Sequence, residues 1–210
     1  QLIVGADRSV PERPVPDPAL RASLLRQQGR GLLGPARVEE QWRHARAFAA
    51  AVTEVPRRAV DLGSGGGLPG LVLAVEDWPD TAVTLLDASQ RRTTFLELEV
   101  VELGLGPRVT VRWDRVERAG HDPELRGRVD VVVARGFGPP AVTAEGAAPL
   151  LRVGGRLVVS DPPSGGDRWP GDGLRGLGME VEASPRVEGA SFTVLHQVEP
   201  CPDRFPRRDG

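Results

Sequence analysis

Short apolar runs rich in β-branched residues alternate with helical segments along most of the chain. Strand-to-helix alternation of this kind is typical of a parallel sheet with crossover helices. The last two runs leave no room for a helix between them, so they are predicted to form an antiparallel hairpin. The predicted strands are Ala59–Leu62, Ala82–Leu86, Val109–Trp113, Val129–Ala134, Arg156–Ser160, Met179–Ala183 and Ser191–Val198, with helices at Leu68–Glu76, Gln90–Leu103 and Ala141–Leu151. The pattern predicts an α/β fold with a doubly wound, mostly parallel sheet of about seven strands.

Two further helices are predicted before the first of these strands. Ala19–Gln28 can form a short helix that stops at Gly29, and Pro35–Val52 can form a longer one with a single apolar stripe. The segment before them is proline-rich and lacks periodicity. The predicted organisation is a flexible tail at 1–17, N-terminal helices at 18–56, a ligand-binding α/β domain at 57–200 and a basic C-terminal tail at 201–210.

The composition limits the classes of protein that the chain can represent. A length of 210 residues with 40% apolar residues suits one domain with a core. Cys201 is the only cysteine, so the sequence predicts no disulfide framework and no metal site. The longest apolar runs are far shorter than the roughly 20 residues that cross a membrane. We therefore expect a cytoplasmic protein, and the net charge of −2 argues against a protein that coats nucleic acid by charge alone.

The segment from Asp61 to Gly70 is the strongest candidate binding site. Its sequence is Asp-Leu-Gly-Ser-Gly-Gly-Gly-Leu-Pro-Gly, and it lies between the first predicted strand of the α/β domain and the helix that follows. Glycines allow a close approach of ligand to backbone N–H groups at a helix start. Gly65, Gly67 and Gly70 also satisfy the G-x-G-x-x-G pattern of dinucleotide-binding loops, so the loop alone leaves an NAD- or flavin-dependent oxidoreductase open.

Acidic residues at two strand ends favour a cationic nucleoside ligand. Asp61 would repel an anionic pyrophosphate, whereas it would attract the ammonium and sulfonium groups of S-adenosylmethionine. Asp87 ends the second strand and can accept hydrogen bonds from ribose hydroxyls in either kind of protein. The stretch from Leu150 to Val159, with glycines at 154 and 155, is similar to the fifth-strand entry of many methyltransferases.

Several motifs together resemble one family, the bacterial 16S ribosomal RNA guanine-N7 methyltransferases (RsmG, also called GidB). The resemblance covers roughly Gly29 to Gly210. It is carried by the glycine loop with Leu68-Pro69-Gly70, by Leu85-Leu86-Asp87 with Arg91-Arg92 and Phe95-Leu96, by Arg115-Val116-Glu117, by Ala134-Arg135-Gly136-Phe137, by Gly31-Leu32-Leu33-Gly34-Pro35 with Trp42-Arg43-His44, and by the tail from Pro202 to Arg208.

The resemblance implies an S-adenosylmethionine-dependent enzyme of the class I fold that acts on 16S rRNA in the small ribosomal subunit. It implies that Arg135 lies near the methionine end of the cofactor and has a positioning role. Methylation of guanine N7 needs no general base, because N7 carries a lone pair and no proton. The cofactor-binding residues expected from the loop and the resemblance are Asp61, Gly63, Ser64, Gly65, Gly67, Leu68, Asp87, Val116, Glu117 and Arg135, and the expected RNA-binding residues are Arg204, Arg207 and Arg208.

The chain departs from the family pattern at two places. Ala45-Arg46-Ala47-Phe48 stands where the family carries short polar residues, and Ser160-Asp161-Pro162-Pro163 replaces the usual Lys-Gly after the fifth strand. These departures keep two alternatives open. One is a methyltransferase of the same fold that acts on a small molecule or another RNA, and the other is a non-catalytic relative that binds cofactor or RNA.

Overall fold

The computed structural model describes residues 3–8, 10, 13–162 and 168–207, with the backbone alone for 3–8. One mixed sheet with helices on both faces organises this part of the chain. The strands are β1 Ile3–Arg8, β2 Arg58–Leu62, β3 Ala82–Asp87, β4 Val109–Trp113, β5 Val129–Ala134, β6 Leu151–Ser160, β7 Met179–Val187 and β8 Ala190–Gln197. The helices are α1 Pro18–Gly29, α2 Val38–Ala51, α3 Gly70–Glu76, α4 Gln90–Glu102, α5 Val116–Ala119, α6 Pro140–Ala147 and α7 Gly171–Arg175.

The strand order is β1-β7-β8-β6-β5-β2-β3-β4. β2 to β6 pair in parallel, and β8 pairs antiparallel with both β6 and β7. The predicted parallel core and closing hairpin are therefore confirmed. The apolar residues of α1 to α4 pack on one face of the sheet, and those of α5 to α7 pack on the other. This is the doubly wound arrangement that the alternating pattern predicts.

The sheet has eight strands rather than about seven. The additional strand is β1, which lies in the segment predicted to be a flexible tail. Ile3–Arg8 was assigned to a flexible tail at 1–17, but it forms β1 and pairs in parallel with β7. The physical reason lies in the hairpin. β7 would otherwise be the edge of the sheet, with a row of unpaired backbone N–H and C=O groups that can take another strand.

A second correction concerns two segments that precede the hairpin. Leu151–Ser160 is one strand of ten residues, so the predicted helix ends earlier, at Ala147. Gly154 has a φ of +84° and lies where the register between β5 and β6 shifts. The glycines at 154 and 155 therefore form an irregularity inside a strand. The stretch from Pro162 to Gly178, which reads as a surface excursion, contains α7 and buries both Trp169 and Leu174.

The N-terminal helices cover the sheet beside α3. Val38, Trp42 and Ala45 of the predicted apolar stripe are buried in α2, and so is Phe48, which lies outside that stripe. Arg46 is also buried, and its Nη2 lies 2.8 Å from Oδ1 of Asp77. The departure at 45–48 thus exchanges short polar groups for an ion pair and an aromatic ring. Because each charge is shielded from water, the two side chains depend on one another.

Candidate functional site

The strand register brings three predicted site residues to one level. Leu62 at the end of β2 lies opposite Ala134 of β5 on one side and Leu86 of β3 on the other. The next residues along these strands are Gly63, Arg135 and Asp87, so all three emerge together at the carboxyl edge. The chain leaves β2 toward β3, whereas β5 lies on its other side. This is a topological switch point, the place where open α/β sheets bind ligands.

The glycine loop is tied to β3 by main-chain hydrogen bonds. The N–H groups of Gly63 and Ser64 donate to the Leu86 carbonyl at 2.8 and 3.1 Å, and the N–H of Gly65 donates to Oδ2 of Asp87 at 2.9 Å. Gly63, Gly65 and Gly67 all have positive φ, which side chains with a Cβ rarely adopt. The loop is therefore a turn held against the end of β3.

Asp61 lies beneath this loop and is fully buried. Its Oδ2 accepts a hydrogen bond of 2.9 Å from the N–H of Gly70, which fixes the start of α3 against the end of β2. A Cβ at position 70 would lie 2.7 Å from Oδ2, so only glycine fits here. Oδ1 of Asp61 is buried and has no hydrogen-bond partner in the part of the chain that the structure describes. Burial raises the pKa of the Asp61 carboxyl to about 7, and the bond from Gly70 opposes that rise.

This raised pKa predicts how the stability of the unliganded protein depends on pH. The folded state holds the Asp61 proton more tightly than the unfolded state, so the free energy of unfolding falls as pH rises from about 4 to about 7. Asn does not titrate, so Asp61→Asn should flatten this slope by up to ~1.4 kcal/mol per pH unit. Urea unfolding at pH steps measures it. Asp172→Asn, which removes an exposed carboxylate, should keep the parent slope; a parent-like slope in Asp61→Asn would contradict the assignment.

Two small cavities open at the carboxyl edge and share Gly63. One, of about 200 Å³, is lined by the glycine loop, Arg135, Arg92 and the segment from Leu32 to Gly34. The other, of about 140 Å³, is lined by Asp87, Asp114, Val116 and Glu117. The ring of Phe137 packs against Gly63, since a Cβ there would lie 2.8 Å from its Cδ2. The two cavities therefore flank this aromatic contact.

Arg135 supplies a positive charge at the first cavity. It is half-buried, and no described residue forms a hydrogen bond with its buried Nη1. Burial lowers the pKa of Arg135, and the charge of Asp61 acts in the opposite direction. Burial and the Arg135 charge together lower the pKa of His44 to about 4, so the imidazole is neutral at pH 7 and stacks on Phe192 at 5.6 Å between ring centroids. The site thus holds one buried carboxylate and one half-buried guanidinium, each with one buried atom that has no hydrogen-bond partner among the described residues.

The structure brings together most of the cofactor-site residues expected from the sequence. Eight of the ten line the two cavities: Gly63, Ser64, Gly65, Leu68, Asp87, Val116, Glu117 and Arg135. Asp61 lies below the cavity floor. Gly67 does not line either cavity, because a Cβ there would meet Leu71 and Leu96 at 3.0 and 3.3 Å. The missing side chain of Gly67 thus leaves room for helix packing, and its contact with a cofactor stays a prediction.

Several lining residues have no strong sequence signal. Leu33 reaches the loop so closely that a Cβ at Gly66 would lie 2.5 Å from its Cδ2. Gln41 comes from α2, Arg92 from α4 and Asp114 from the end of β4. Asp114 could have been found by the rule that predicted Asp87, since it too follows a parallel strand. The others reach the site through tertiary packing.

A third cavity adjoins the first two, on the side of β5 and β6. It measures about 310 Å³ and shares Gly136 with the first cavity and Phe137 with the second. Ser160, Asp161 and Trp169 line it from the end of β6 and the segment before α7. A larger cleft of about 420 Å³ lies at the opposite, amino edge of the sheet, away from the glycine loop. A ligand in the 310 Å³ cavity would therefore lie beside a ligand in the first two cavities.

The C-terminal tail is fixed to the body by Arg126. Its guanidinium donates to the carbonyls of Gly120 and Phe205 at 2.8 Å and to those of Cys201 and Pro202 at 3.2 Å. Arg207 forms a bidentate pair with Glu145, whereas the exposed Arg204 lies over the Phe205 ring at 4.8 Å. Arg208 lies outside the described residues.

The described parts of the chain hold neither a metal-ligand cluster nor a membrane-spanning helix. No group of three or more His, Cys, Asp or Glu side chains there could hold a metal ion. No helix in the same residues is long and apolar enough to cross a membrane.

Comparisons with solved structures identify the fold. The chain is similar to a T. thermophilus 16S rRNA N2 methyltransferase (RsmC) solved with AdoMet and guanosine, with 23% identity, a TM-score of 0.52, and coverage of 75% of this chain and 39% of the other. It is also similar to TrmN from Thermus thermophilus, with 21% identity, a TM-score of 0.59, and coverage of 90% and 55%. The fold is that of class I S-adenosylmethionine-dependent methyltransferases.

Sequence comparisons identify the family. A protein named ribosomal RNA small subunit methyltransferase G from Parasynechococcus marenigrum is 38% identical over 167 residues, which cover 73% of this chain and 65% of the relative. The chain thus spans just under two thirds of the length of that relative. The profile of the family described as rRNA small subunit methyltransferase G matches residues 24–160. With the fold, the site and this match, the chain belongs to the rRNA small subunit methyltransferase G family.

Proposed function

We propose that this protein is an S-adenosylmethionine-dependent methyltransferase that transfers a methyl group to N7 of a guanine in 16S rRNA. The proposal rests on two buried atoms that keep free hydrogen-bonding capacity among the described residues, Oδ1 of Asp61 and Nη1 of Arg135. Both side chains lie beside the glycine loop at the switch point. Family membership supports the substrate. The small ribosomal subunit would be the partner and the cytoplasm the place of action.

The site residues fit the cofactor by charge and by shape. A methionine moiety carries an ammonium and a carboxylate, which match the free capacity of Asp61 Oδ1 and Arg135 Nη1. Oδ2 of Asp87 already accepts from Gly65, yet a carboxylate oxygen has two lone pairs and can accept a ribose hydroxyl as well. Val116 and Glu117 would border the adenine at the second cavity.

The bound cofactor supplies a sulfonium-activated methyl group. In the transfer, the N7 lone pair forms the new N–C bond, the S–C bond breaks, and its electron pair stays on sulfur, so no proton moves. The protein's task is to align N7 with the methyl carbon and to tolerate the positive charge as it passes to the purine. Arg135 would position the methionine end, and the 310 Å³ cavity would receive the unstacked base.

Arg207 offers a test of the tail as an RNA contact. Its pairing with Glu145 leaves the side chain 74% exposed, so phosphates can compete for the guanidinium. Arg207→Ala should reduce the slope of log Kobs against log salt for subunit binding by about 0.7–1. Filter binding between 50 and 200 mM salt measures the slope. Arg175→Ala, a matched change on an exposed arginine of α7, should leave it unaltered; equal slopes for Arg207→Ala and parent would remove Arg207 from the interface.

A second candidate function is methyl transfer to a small molecule. The observation in its favour is Asp161, a carboxylate where the family usually carries a cation close to the expected RNA. An oxidoreductase is disfavoured by Asp61, which would face an anionic pyrophosphate.

One pair of measurements separates these functions. Thermal shift with S-adenosylhomocysteine against NADH tests the cofactor, because a ligand that binds the native state raises its stability by mass action. Tritium transfer from labelled S-adenosylmethionine to small ribosomal subunits, against a metabolite extract, tests the acceptor. We expect stabilisation by S-adenosylhomocysteine alone and label in the RNA. Label confined to metabolites would support the second candidate.

A further inference from the structure

Asp161 is held in a specific orientation at the edge of the 310 Å³ cavity. Its N–H donates to the Ser191 carbonyl at 2.9 Å, and its Oδ2 accepts from the Thr193 hydroxyl at 2.7 Å. Its side chain is 11% exposed, and among the described residues its buried Oδ1 has no hydrogen-bond partner. One oxygen is therefore fixed while the other keeps its capacity to accept.

The guanidinium of Arg168 forms an ion pair with this oxygen. Arg168 Nη1 lies 3.6 Å from Asp161 Oδ1, which is an ion pair but too long for a hydrogen bond. A guanidinium presents parallel N–H donors on an N–C–N unit. The Watson–Crick edge of guanine presents the same unit, with donors at N1 and at the exocyclic N2. Arg168 therefore presents to Asp161 the same kind of donor pair that a guanine edge would present.

The walls of the cavity suit a planar base. Phe137 and Trp169 both line it, and the buried Trp169 Nε1 has no acceptor among the residues that the structure describes. The volume of about 310 Å³ is at the small end of the range for ligand pockets. Since the cavity shares Gly136 and Phe137 with the two cofactor cavities, a base bound in it would lie next to the methyl donor.

We propose that Asp161 recognises the target guanine by accepting hydrogen bonds from its N1–H and N2–H₂ edge, displacing Arg168. This inference rests on the proposed function and assigns the base specificity of the same site to one residue. It also explains the replacement after β6, since a lysine there has donors only and would face the donor edge of guanine unfavourably.

The same contact assists the transfer step. Methylation at N7 makes the purine cationic, which makes N1–H a stronger donor. A carboxylate on that edge therefore binds the transition state more tightly than the neutral base, and such differential binding accelerates the reaction. Asp161 would thus affect kcat as well as substrate choice.

Replacing guanosine by inosine at the methylated position tests the contact, because inosine lacks only the exocyclic amine. Small subunits reconstituted from ligated 16S rRNA with either nucleoside are the substrates, and kcat/KM is measured for each. The parent should lose about 10- to 100-fold on inosine. Asp161→Ala should lose about as much on guanosine and discriminate between the two by less than about twofold.

Two further variants keep this test decisive. Thr193→Val removes the hydroxyl that fixes Oδ2 and should reduce discrimination partway, even if Asp161→Ala folds poorly. Asp172→Asn, the loss of a 93% exposed carboxylate on α7, should discriminate like the parent. Parent-like discrimination in folded Asp161→Ala or in Thr193→Val would overturn the role of Asp161 and leave the proposed function standing. Absence of transfer by the parent to guanosine subunits would remove both.

Discussion

Gly65→Val is expected to weaken binding of S-adenosylhomocysteine by on the order of 100-fold or more. Gly65 lines the first cavity, and a Cβ there would have only the Gly63 carbonyl near it, at 3.7 Å. A valine side chain would therefore project into the space assigned to the ligand. The φ of +56° adds strain of roughly 1–2 kcal/mol.

Gly104→Val separates the two contributions. Gly104 has a φ of +66° and open space around it, but it follows α4 away from the cavities. Both variants should lose similar stability in thermal unfolding, while calorimetry should show parent-like affinity for S-adenosylhomocysteine in Gly104→Val alone. Tight binding by Gly65→Val would mean that the ligand site lies elsewhere.

Arg135→Ala should lower methyl transfer to small-subunit RNA by about 10- to 150-fold. A charge-assisted contact contributes on the order of 1.5–3 kcal/mol, which converts to this range of rates. Arg135 follows β5 directly and lines the first cavity with Nη1 unpartnered, so its loss removes a contact without breaking an existing hydrogen bond of that atom. The measurement is a single-turnover assay with saturating subunits.

Arg135→Lys is the matched control for charge. Lysine keeps the positive charge but lacks the planar fork, so partial recovery is expected if orientation matters and full recovery if charge alone does. The thermal midpoint of both variants should stay within a few degrees of the parent. An Arg135→Ala enzyme with parent-like single-turnover rates would exclude Arg135 from the positioning role.

The cofactor side of the site could be predicted from the sequence because local rules determine it. Asp61 and Asp87 follow parallel strands, and parallel strands place their carboxyl ends at one edge. The glycine loop has the positive φ values that its composition allows. Gly67 is the exception, since a motif position does not reveal whether the missing Cβ makes room for a ligand or for Leu71.

The part of the site that would hold the methyl acceptor, together with the tail and β1, could not be predicted in the same way. The segment around Trp169 reads as polar, glycine-rich surface, yet its few apolar residues are buried against the sheet. The pairing of Arg207 with Glu145, 62 residues away, depends on how the tail packs. Strand β1 also depends on a distant partner, because an edge strand accepts a neighbour whose own pattern is weak. In each case tertiary contacts outweigh local preference.

The nucleoside product tests the central claim most directly. Purified protein, S-adenosylmethionine and small ribosomal subunits that lack the modification are incubated together, and the 16S rRNA is digested to nucleosides for mass spectrometry. We expect 7-methylguanosine to accumulate to about one per subunit when the reaction is complete, because one base is bound in one pocket. A methyl group on any other nucleoside, or unmodified RNA beside a protein that binds S-adenosylhomocysteine, would contradict it.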